Sequence, residues 1–560
     1  MLKTKRVHSF DIFDTCLVRS CGTAENFFDV LAYMVFDGDV EDVVRNQFII
    51  ARRRSELSLS KTDPFFDIYS IYNNLDFKHE KLKEPSQLPE IEMQLEKELL
   101  RPVLKAKELI KKERSNGRSI IFISDMYLHS EFLIPILKQY GMFEDGDKVF
   151  ISSEKGSVKH GGGLFRMIQK ELNVPFKNWK HYGDNNDCDY VAARELGIKA
   201  ERLVWEYQPY PMMWKENDTS LNYKYASIAA GISRALYFSE PDNNHKNFVL
   251  DFIAPFYCSY VYRVMKDVKS KGYKRLYFCA RDAYYFFQIA EKLKPIFPDI
   301  NIKYLYISRD ALYNSDPETV FEYMKQEGLA DKNTHNAIVD TTTSGKTISF
   351  LNNLFERNGV NKIYGYYIFH WNGAETYEIT KESQFHSEIL ETNIYNNSIY
   401  AFLRSNFYIF ENYFSLNSNK HLKSYKKNGQ TIVPVFEDTS SEECYIDNVE
   451  KWTKIHSDLI GKYTSEFIKT KLYTKSDELF ELAIRSILLF FRFPDKEYLP
   501  AFLTFSSFFS NKPVIKESGI IHLLLYRGKD TEWPMATKIL NLPKQASFLI
   551  KNKYRRKNIF

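Results

Sequence analysis

The chain has 560 residues, of which 44% are hydrophobic and 27% charged, with a formal net charge of +5 at pH 7. This balance is typical of a folded protein and excludes a largely disordered chain, a collagen-like repeat and a small disulfide scaffold. A charge of +5 over this length does not indicate nucleic-acid binding, so we expect no nucleic-acid partner. At about 150 residues per domain, the length predicts three or four structural units.

Compartment signals favour a cytoplasmic protein. The six cysteines are scattered without a C-x-x-C pair, which is typical of a reducing compartment. The N-terminal sequence has no signal-peptide apolar region, and the most apolar stretch, 482–493, is too short to span a bilayer. The basic residues Lys551, Lys553, Arg555, Arg556 and Lys557 leave two interpretations open, a solvated tail or a peripheral contact with an anionic membrane.

Short apolar runs alternate with helical patterns in the first 205 residues. The runs that predict strands are RVHSFDIFDT, SIIFIS, KVFISS and KHYGDN. Apolar residues at three- and four-residue steps predict helices between these runs. The alternation predicts a Rossmann-like parallel sheet over residues 1–205, with a helical insert at about 16–117.

The rest of the chain divides into three further segments. Residues 206–247 mix Pro, Asn and Asp, which predicts a connector. Residues 248–410 again alternate strands and helices, which predicts a second Rossmann-like α/β domain. Residues 411–560 are mainly helical in period, although the run NGQTIVPVF interrupts them. The predicted fold class is therefore α/β, with two parallel sheets and a mainly helical C-terminal region.

Polar residues follow the predicted strands of the first domain in a fixed order. Asp11 ends the first strand, Ser124 ends the second, Lys159 precedes a helix, and Asp184 and Asp189 follow the last. The carboxyl ends of parallel strands meet at one edge of a sheet, so these side chains can converge. A carboxylate can attack a phosphate dianion only if cations neutralise the repulsion, and Mg²⁺ prefers carboxylate oxygens.

These four motifs, taken in order, resemble those of the haloacid dehalogenase-like (HAD) hydrolase superfamily over about residues 6–205. The resemblance implies that Asp11 is a nucleophile that forms an aspartyl-phosphate. It also implies that Mg²⁺ is bound by Asp11, the backbone carbonyl of Phe13 and the carboxylate of Asp184. The groups implied to hold the phosphate are Thr15, Ser124 and Lys159.

The same resemblance leaves the role of Asp189 open between a metal ligand and a residue that orients one. It further implies that the helical insert is a cap that closes over the site and selects the substrate.

One departure from this pattern concerns the general acid/base. Most phosphatases of the superfamily have a second Asp two residues after the nucleophile, whereas this chain has Phe13 there. The nearest acid is Asp14, our candidate for the catalytic role, although adjacent strand residues face opposite sides. General acid/base catalysis contributes about 10² to 10⁴ in rate. Slow turnover, a good leaving group and a pure binding role therefore stay open.

The second α/β region carries weaker signals. Two turns repeat an Arg-Asp pair, at 281–282 and at 309–310, and the segment AIVDTTTSGKT follows a predicted strand. It is not a Walker A loop but is somewhat similar to the ribose-phosphate loop of type I phosphoribosyltransferases. The candidate phosphate-binding residues are Asp340, Thr343, Gly345 and Thr347. A helix N-cap built from Thr and Ser explains the same residues.

The whole chain resembles long bacterial HAD-like proteins associated with surface-polysaccharide synthesis. That resemblance implies a small phosphorylated substrate such as a sugar phosphate, and Mg²⁺ as cofactor. We expect a phosphohydrolase that acts through an aspartyl-phosphate. Two alternatives are a weakly catalytic scaffold whose second domain binds a nucleotide or glycan phosphate, and a second domain that transfers phosphoribosyl or glycosyl groups.

Overall fold

The computed structural model describes residues 6–207, 223–370, 385–387, 414–437 except 416, 443–502 except 493 and 495, and residue 540. The chain forms two compact units, Met1–Asp242 with Lys469–Leu472, and Asn243–Ile468 with Tyr473–Phe560. The predicted basic C-terminal segment lies outside the described residues. Within the described part of the chain, no helix is both long and apolar enough to cross a bilayer.

The first unit is built on a five-stranded parallel sheet with the strand order β5-β4-β1-β6-β7. Its strands, with a separate two-stranded ribbon of β2 and β3, are β1 (Val7–Asp11), β2 (Leu17–Arg19), β3 (Leu100–Pro102), β4 (Ser119–Ser124), β5 (Lys148–Ile151), β6 (Trp179–Gly183) and β7 (Lys199–Arg202). Because β1 is the central strand, Asp11 lies in the middle of the carboxyl edge. The predicted α/β class is confirmed for this unit.

Helices cover both faces of this sheet and form the insert. The α-helices of the first unit are α1 (Ala24–Leu31), α2 (Asp42–Thr62), α3 (Ile68–Asn73), α4 (Leu88–Leu99), α5 (Leu104–Ser115), α6 (Ser130–Gln139), α7 (Ser152–Lys155), α8 (Gly163–Leu172), α9 (Ala192–Glu195) and α10 (Tyr223–Ser239). Along β4, Ile120 and Phe122 pack into one buried cluster, and Ile121 and Ile123 pack into another. Alternate strand residues face opposite sides, so the continuous apolar run SIIFIS is that of a strand buried on both faces.

The helical insert is narrower than the predicted range of about 16–117. Strands β2 and β3 pair as an antiparallel ribbon that leads into the insert and back out of it. Helices α1 to α4 lie between these strands and form the cap, which spans 24–99. Helix α5 instead belongs to the layer that covers the sheet, because its Ile110 packs in the same cluster as Phe10 and Phe122.

The segment for which we predicted a connector contains a helix of the first unit. Helix α10 packs so closely on the chain near Gly22 that a Cβ on Gly231 would lie 2.2 Å from the Gly22 nitrogen. The amide of Asn26 donates to the hydroxyl of Ser227 at 2.8 Å. The sequence of α10 is rich in Ala, Ser and Gly, and small residues give a weak apolar periodicity, which explains why the helix was not predicted.

The second unit contains another five-stranded sheet, with the order β12-β11-β10-β8-β9 and every pairing parallel. Its strands are β8 (Arg275–Cys279), β9 (Asn301–Leu305), β10 (Asn336–Thr343), β11 (Tyr364–His370) and β12 (Phe385–Ser387). The helices along this part of the chain are α11 (Lys246–Phe248), α12 (Ala254–Ser270), α13 (Tyr284–Leu293), α14 (Arg309–Asn314), α15 (Pro317–Gln326) and α16 (Lys346–Arg357). The second α/β fold is confirmed.

The described part of the predicted helical C-terminal region begins with a hairpin. Strands β13 (Leu422–Asn428) and β14 (Thr431–Phe436) pair antiparallel, and Gly429 in the turn between them has a φ of 62°. Glycine adopts positive φ without the steric penalty of other residues. Two long helices follow, α17 (Glu443–Lys469) and α18 (Ser476–Arg492). The run NGQTIVPVF that interrupts the helical pattern is therefore the turn and second strand of this hairpin.

Candidate functional site

Three carboxylates meet at the carboxyl edge of the first sheet. Asp11 ends β1, Asp184 directly follows β6, and Asp189 lies in the short π-helical turn Asn186–Val191. One oxygen from each of the three carboxylates lies within 4.8 Å of the others. Asp11 thus forms one group with two acids that lie more than 170 positions later in the sequence, as the strand pattern predicted.

Lys159 provides the positive charge of this group. Its Nζ lies 2.5 Å from Oδ1 of Asp11 and 2.5 Å from Oδ1 of Asp189. The side chain is buried, and its backbone N–H donates to Oδ1 of Asp125 at 3.0 Å. The backbone of Lys159 is therefore held by Asp125, and its ammonium group is held by Asp11 and Asp189.

Burial and charge set the protonation states of these groups. Burial raises the pKa of the Asp11 carboxyl, and the Lys159 ammonium acts against that rise. Burial would lower the pKa of Lys159, but the charges of Asp11 and Asp189 outweigh it and raise that pKa above the ordinary value. The ammonium therefore stays charged at neutral pH, and a second cation near Asp11 would favour the ionised carboxylate.

Both oxygens of Asp189 already accept hydrogen bonds. Oδ1 lies 2.5 Å from Lys159 and 3.1 Å from Nε2 of His181, and Oδ2 accepts the backbone N–H of Asn185 at 3.0 Å. Burial opposes ionisation, but these donors lower the pKa of Asp189 below its usual range. A Cβ on Gly183 would lie 2.3 Å from the Asp189 carboxyl carbon, so only glycine leaves room for this carboxylate.

Thr15 contacts an acid of the site. Its Oγ1 donates to Oδ1 of Asp184 at 3.1 Å, and its carbonyl accepts the indole N–H of Trp205 at 2.9 Å. Burial and the charges of Asp14 and Asp189 raise the pKa of Asp184. This hydrogen bond places Thr15 beside Asp184, and its role in holding the phosphate stays a prediction.

Asp14 contacts an arginine of α10. It has a φ of 57°, and its carboxylate lies 3.1 Å from Nη1 of Arg234 on α10. It is not among the residues that line the cavity. The structure therefore gives the candidate acid/base Asp14 an ion pair with Arg234 as its contact.

An open cavity of about 320 Å³ contains the acids, and residues of the cap line part of it. Its floor includes Ser124 at the end of β4 together with Asp11 and Lys159. Phe13 also lines it, and the guanidinium of Arg19 lies 4.7 Å from the centre of the Phe13 ring. An arginine thus stacks on the side chain that occupies the position of the usual acid.

Several lining residues were not predicted from the sequence. These are Arg19, Ala24, Phe27, Phe28, Glu56, Asp125, Met126, Tyr127, Asn185 and Cys188. Arg19 comes from β2 and Glu56 from the middle of α2, where a charged residue is ordinary for a solvated helix face. Only Asp125, Met126 and Tyr127 carried a signal, because they directly follow the strand-end residue Ser124.

The candidate residues of the second sheet are arranged differently. Asp340 lies in β10 and accepts the backbone N–H of Thr341 at 2.8 Å. Thr343 ends β10, Gly345 is the N-cap of α16 with a φ of 81°, and Thr347 lies in its first turn. Asp340 and Thr343 pair with β11, opposite Tyr367 and His370. The N-cap of α16 is Gly345, and no side chain forms a cap hydrogen bond there, so the structure does not show the N-cap built from Thr and Ser. The phosphate-binding role of these residues stays a prediction.

The two Arg-Asp turns of the second unit also lie after strands. Nε of Arg281 is 3.6 Å from Oδ1 of Asp282, after β8. In the second turn, Asp310 at the start of α14 lies 2.9 Å from Nε2 of His421.

Comparisons with known proteins give structural likeness only. No protein-family model matches the sequence, and no curated protein matches it. A dehalogenase structure with an intermediate complex is 16% identical, with a TM-score of 0.27, over 37% of this chain and 89% of that chain. A HAD family enzyme from Bacteroides thetaiotaomicron, in complex with magnesium and inorganic phosphate, is 14% identical, with a TM-score of 0.28, over 36% and 96%.

A predicted phosphoglycolate phosphatase from Haemophilus somnus is 13% identical, with a TM-score of 0.26, over 37% of this chain and 88% of that chain. At these TM-scores the structural likeness gives no information about function. The functional argument depends on the geometry of the site itself.

Proposed function

We propose that the first unit is a Mg²⁺-dependent phosphohydrolase of the HAD type that acts on phosphomonoesters through Asp11. The observation that supports this most directly is the group of three acids in one cavity, two of which, Asp11 and Asp189, are bridged by Lys159. Three carboxylates with one ammonium leave negative charge that a divalent cation would neutralise.

The donor set fits magnesium. Asp11 and Asp184 offer carboxylate oxygens, and the backbone carbonyl of Phe13 offers a third hard ligand. Asp189 serves to position Lys159 and the turn after β6, because its two oxygens are taken by donors. When bound, the ion supplies the positive charge that lets a carboxylate approach a phosphate.

The chain's own residues account for the covalent step. An oxygen of Asp11 attacks phosphorus, the bond between phosphorus and the alcohol oxygen breaks, and the alcohol leaves with its electron pair and takes up a proton. Water then attacks the aspartyl-phosphate, which releases inorganic phosphate and restores Asp11. We propose that Lys159 and the hydroxyl of Ser124 bind phosphoryl oxygens as charge develops on them, since both residues line the cavity together with Asp11.

Proton delivery to the leaving alcohol is the weak step. Phe13 cannot transfer a proton, and Asp14 is paired with Arg234. We therefore expect phenolic esters, which leave without protonation, to be hydrolysed faster than esters of simple alcohols.

The finer proposal is that the physiological substrate is a phosphorylated sugar or related metabolite, used in bacterial polysaccharide synthesis. The cavity size supports a small molecule, and the charged side chains of Arg19 and Glu56 in its lining support a hydroxylated one. The specific pathway is supported by the resemblance of the sequence alone.

The test is hydrolysis of p-nitrophenyl phosphate with and without Mg²⁺. We expect turnover by the wild type that chelation removes, and a loss of at least about 10³-fold in Asp11→Asn because the nucleophile is gone. Asp145→Asn is the matched control, since this aspartate is almost fully exposed. Equal turnover by wild type and Asp11→Asn would refute the proposal.

A further inference from the structure

Two charged side chains, which we call the charged wall, line the cavity, one from outside the cap and one from inside it. Arg19 and Glu56 both line the cavity, one from β2 and one from α2. Each belongs to an ion pair with a helix of the cap, because Nε of Arg19 donates to Glu96 at 2.7 Å and Glu56 pairs with Arg52 at 2.8 Å. This wall faces whatever part of a substrate lies above the phosphate.

Arg52 is fully buried and contacts both Glu56 and Glu92. Its Nε and Nη2 donate to the two oxygens of Glu92 at 2.9 and 2.7 Å, and its Nη1 donates to Oε2 of Glu56 at 2.8 Å. Glu92 also accepts the hydroxyls of Tyr72 at 2.5 Å and Tyr127 at 2.8 Å. The charge of Arg52 is therefore already balanced by Glu92, which is saturated with donors.

Glu56 consequently keeps an unused acceptor and an unbalanced charge. Its Oε2 is held by Arg52, whereas Oε1 has no hydrogen-bond partner among the described residues. The charged wall and its ion-pair partners contain two guanidinium groups and three carboxylates, so one carboxylate charge is in excess. The guanidinium groups are those of Arg19 and Arg52, and the carboxylates are those of Glu56, Glu92 and Glu96. A pre-positioned carboxylate of this kind attracts a hydrogen-bond donor and repels an anion.

We propose that Glu56 selects phosphomonoesters whose alcohol part carries a hydroxyl or ammonium donor, and rejects those that carry a second anionic group. The inference rests on the proposed function, since it places the phosphate on the acids below and the alcohol part against the cap. Arg52 is a positioning residue, because it fixes the Glu56 carboxylate and touches no substrate.

The experiment measures ligand binding by calorimetry in the Asp11→Asn background with Mg²⁺, so that ligands are not consumed. The four probes are ethanolamine phosphate, glycerol 1-phosphate, phenyl phosphate and phosphoglycolate. We expect Glu56→Ala to weaken the first two about 10- to 100-fold, the range of a hydrogen bond to a charged group. Phenyl phosphate should change less than about threefold, and phosphoglycolate should bind more tightly because repulsion is removed.

Two further variants identify the donor and control for folding. Glu56→Gln keeps the acceptor oxygen for Arg52 and removes the charge, so it should weaken ethanolamine phosphate more than glycerol 1-phosphate. The exposed Glu108 on α5 is the matched control, and Glu108→Gln should change none of the four affinities.

An equal change for all four ligands in Glu56→Ala, or no change for any, would overturn the inference. So would binding of phenyl phosphate alone. Failure of the proposed function would appear separately, as the absence of Mg²⁺-dependent hydrolysis of p-nitrophenyl phosphate by the wild type.

Discussion

The two parallel sheets of this protein carry acids near the carboxyl ends of their strands, yet among the described residues only the acids of the first sheet form one group that could hold a metal ion. In the first sheet, Asp11 and Asp189 share one lysine, and Asp184 lies within reach of both. Residues of the cap line the cavity that contains these acids. The strand order therefore brings the side chains together, and the shared lysine distinguishes this group from the acids of the second sheet.

In the second sheet, the acids contact different groups. Asp340 accepts a backbone N–H from its own neighbour, and Asp310 pairs with His421. Asp282 lies beside the adjacent Arg281. Among the described residues, these three acids do not form one group that could share a metal ion. The Rossmann-like topology alone is thus a poor guide to chemistry.

The largest effect is expected when Lys159, the cation that Asp11 and Asp189 share, is replaced. Lys159→Met leaves the buried carboxylates of Asp11 and Asp189 without their shared positive charge, so we expect about 3–5 kcal/mol of lost stability and about a 10³-fold loss of hydrolysis. Added Mg²⁺ should restore part of the stability, because it binds only the folded acid group. Urea unfolding with and without Mg²⁺ measures both effects.

The matched change in the second unit is Lys346→Met, at the exposed start of α16. It should alter neither stability nor Mg²⁺ dependence. If Lys159→Met unfolds at the same urea concentration as Lys346→Met, the acids of the first sheet do not depend on a shared cation.

Acid pH should distinguish the two units next. In the second unit, burial lowers the pKa of His245 to about 4 and that of His456 to about 3. The unfolded chain binds these protons near pH 6.5, so stability is complete above that pH and falls as the pH drops toward the folded values. We expect a loss of about 2 kcal/mol for each histidine between pH 7.5 and pH 5.

The first unit should lose stability in the same direction, because burial also lowers the pKa of His181, but the hydrogen bond to Asp189 acts against that lowering and should make the loss smaller. Urea unfolding followed at both pH values checks the difference, and His456→Phe should remove about half of the slope in the second unit. A slope unchanged by His456→Phe would contradict the assignment.

The sequence predicts the site residues whose position follows from the strand pattern, but not those whose position depends on contacts with distant parts of the chain. Asp11, Ser124, Lys159 and Asp184 could be placed together, because each follows an apolar strand and parallel strands end at one edge. The side-chain direction of Asp14 could not be predicted, since it depends on a positive φ and on Arg234 from a helix that the pattern did not show.

The role of Glu56 in the charged wall could not be predicted for a different reason. Glu56 is an ordinary charged residue in a helix of modest amphipathicity, and only the tertiary packing around Arg52 shows that it is fixed. The hairpin of the C-terminal region was missed because its first strand, LKSYKKN, is largely charged and exposed.

The smallest effect expected concerns a glycine in each sheet. In the first sheet, Gly183→Ala would place a Cβ 2.3 Å from the Asp189 carboxyl carbon. In the second, Gly365→Ala would meet Cδ1 of Ile348 at 2.5 Å. Both changes overpack a buried strand, and we expect about 1–3 kcal/mol of lost stability from each.

Only Gly183→Ala should also change the chemistry, because moving Asp189 releases Lys159 from its fixed position. We expect a higher Mg²⁺ requirement and at least about a tenfold fall in hydrolysis for this variant, with wild-type behaviour for Gly365→Ala. Mg²⁺ titrations of p-nitrophenyl phosphate hydrolysis separate the two outcomes. If both alanine variants lose stability and both keep wild-type Mg²⁺ dependence, Asp189 supports the strand but does not position the lysine.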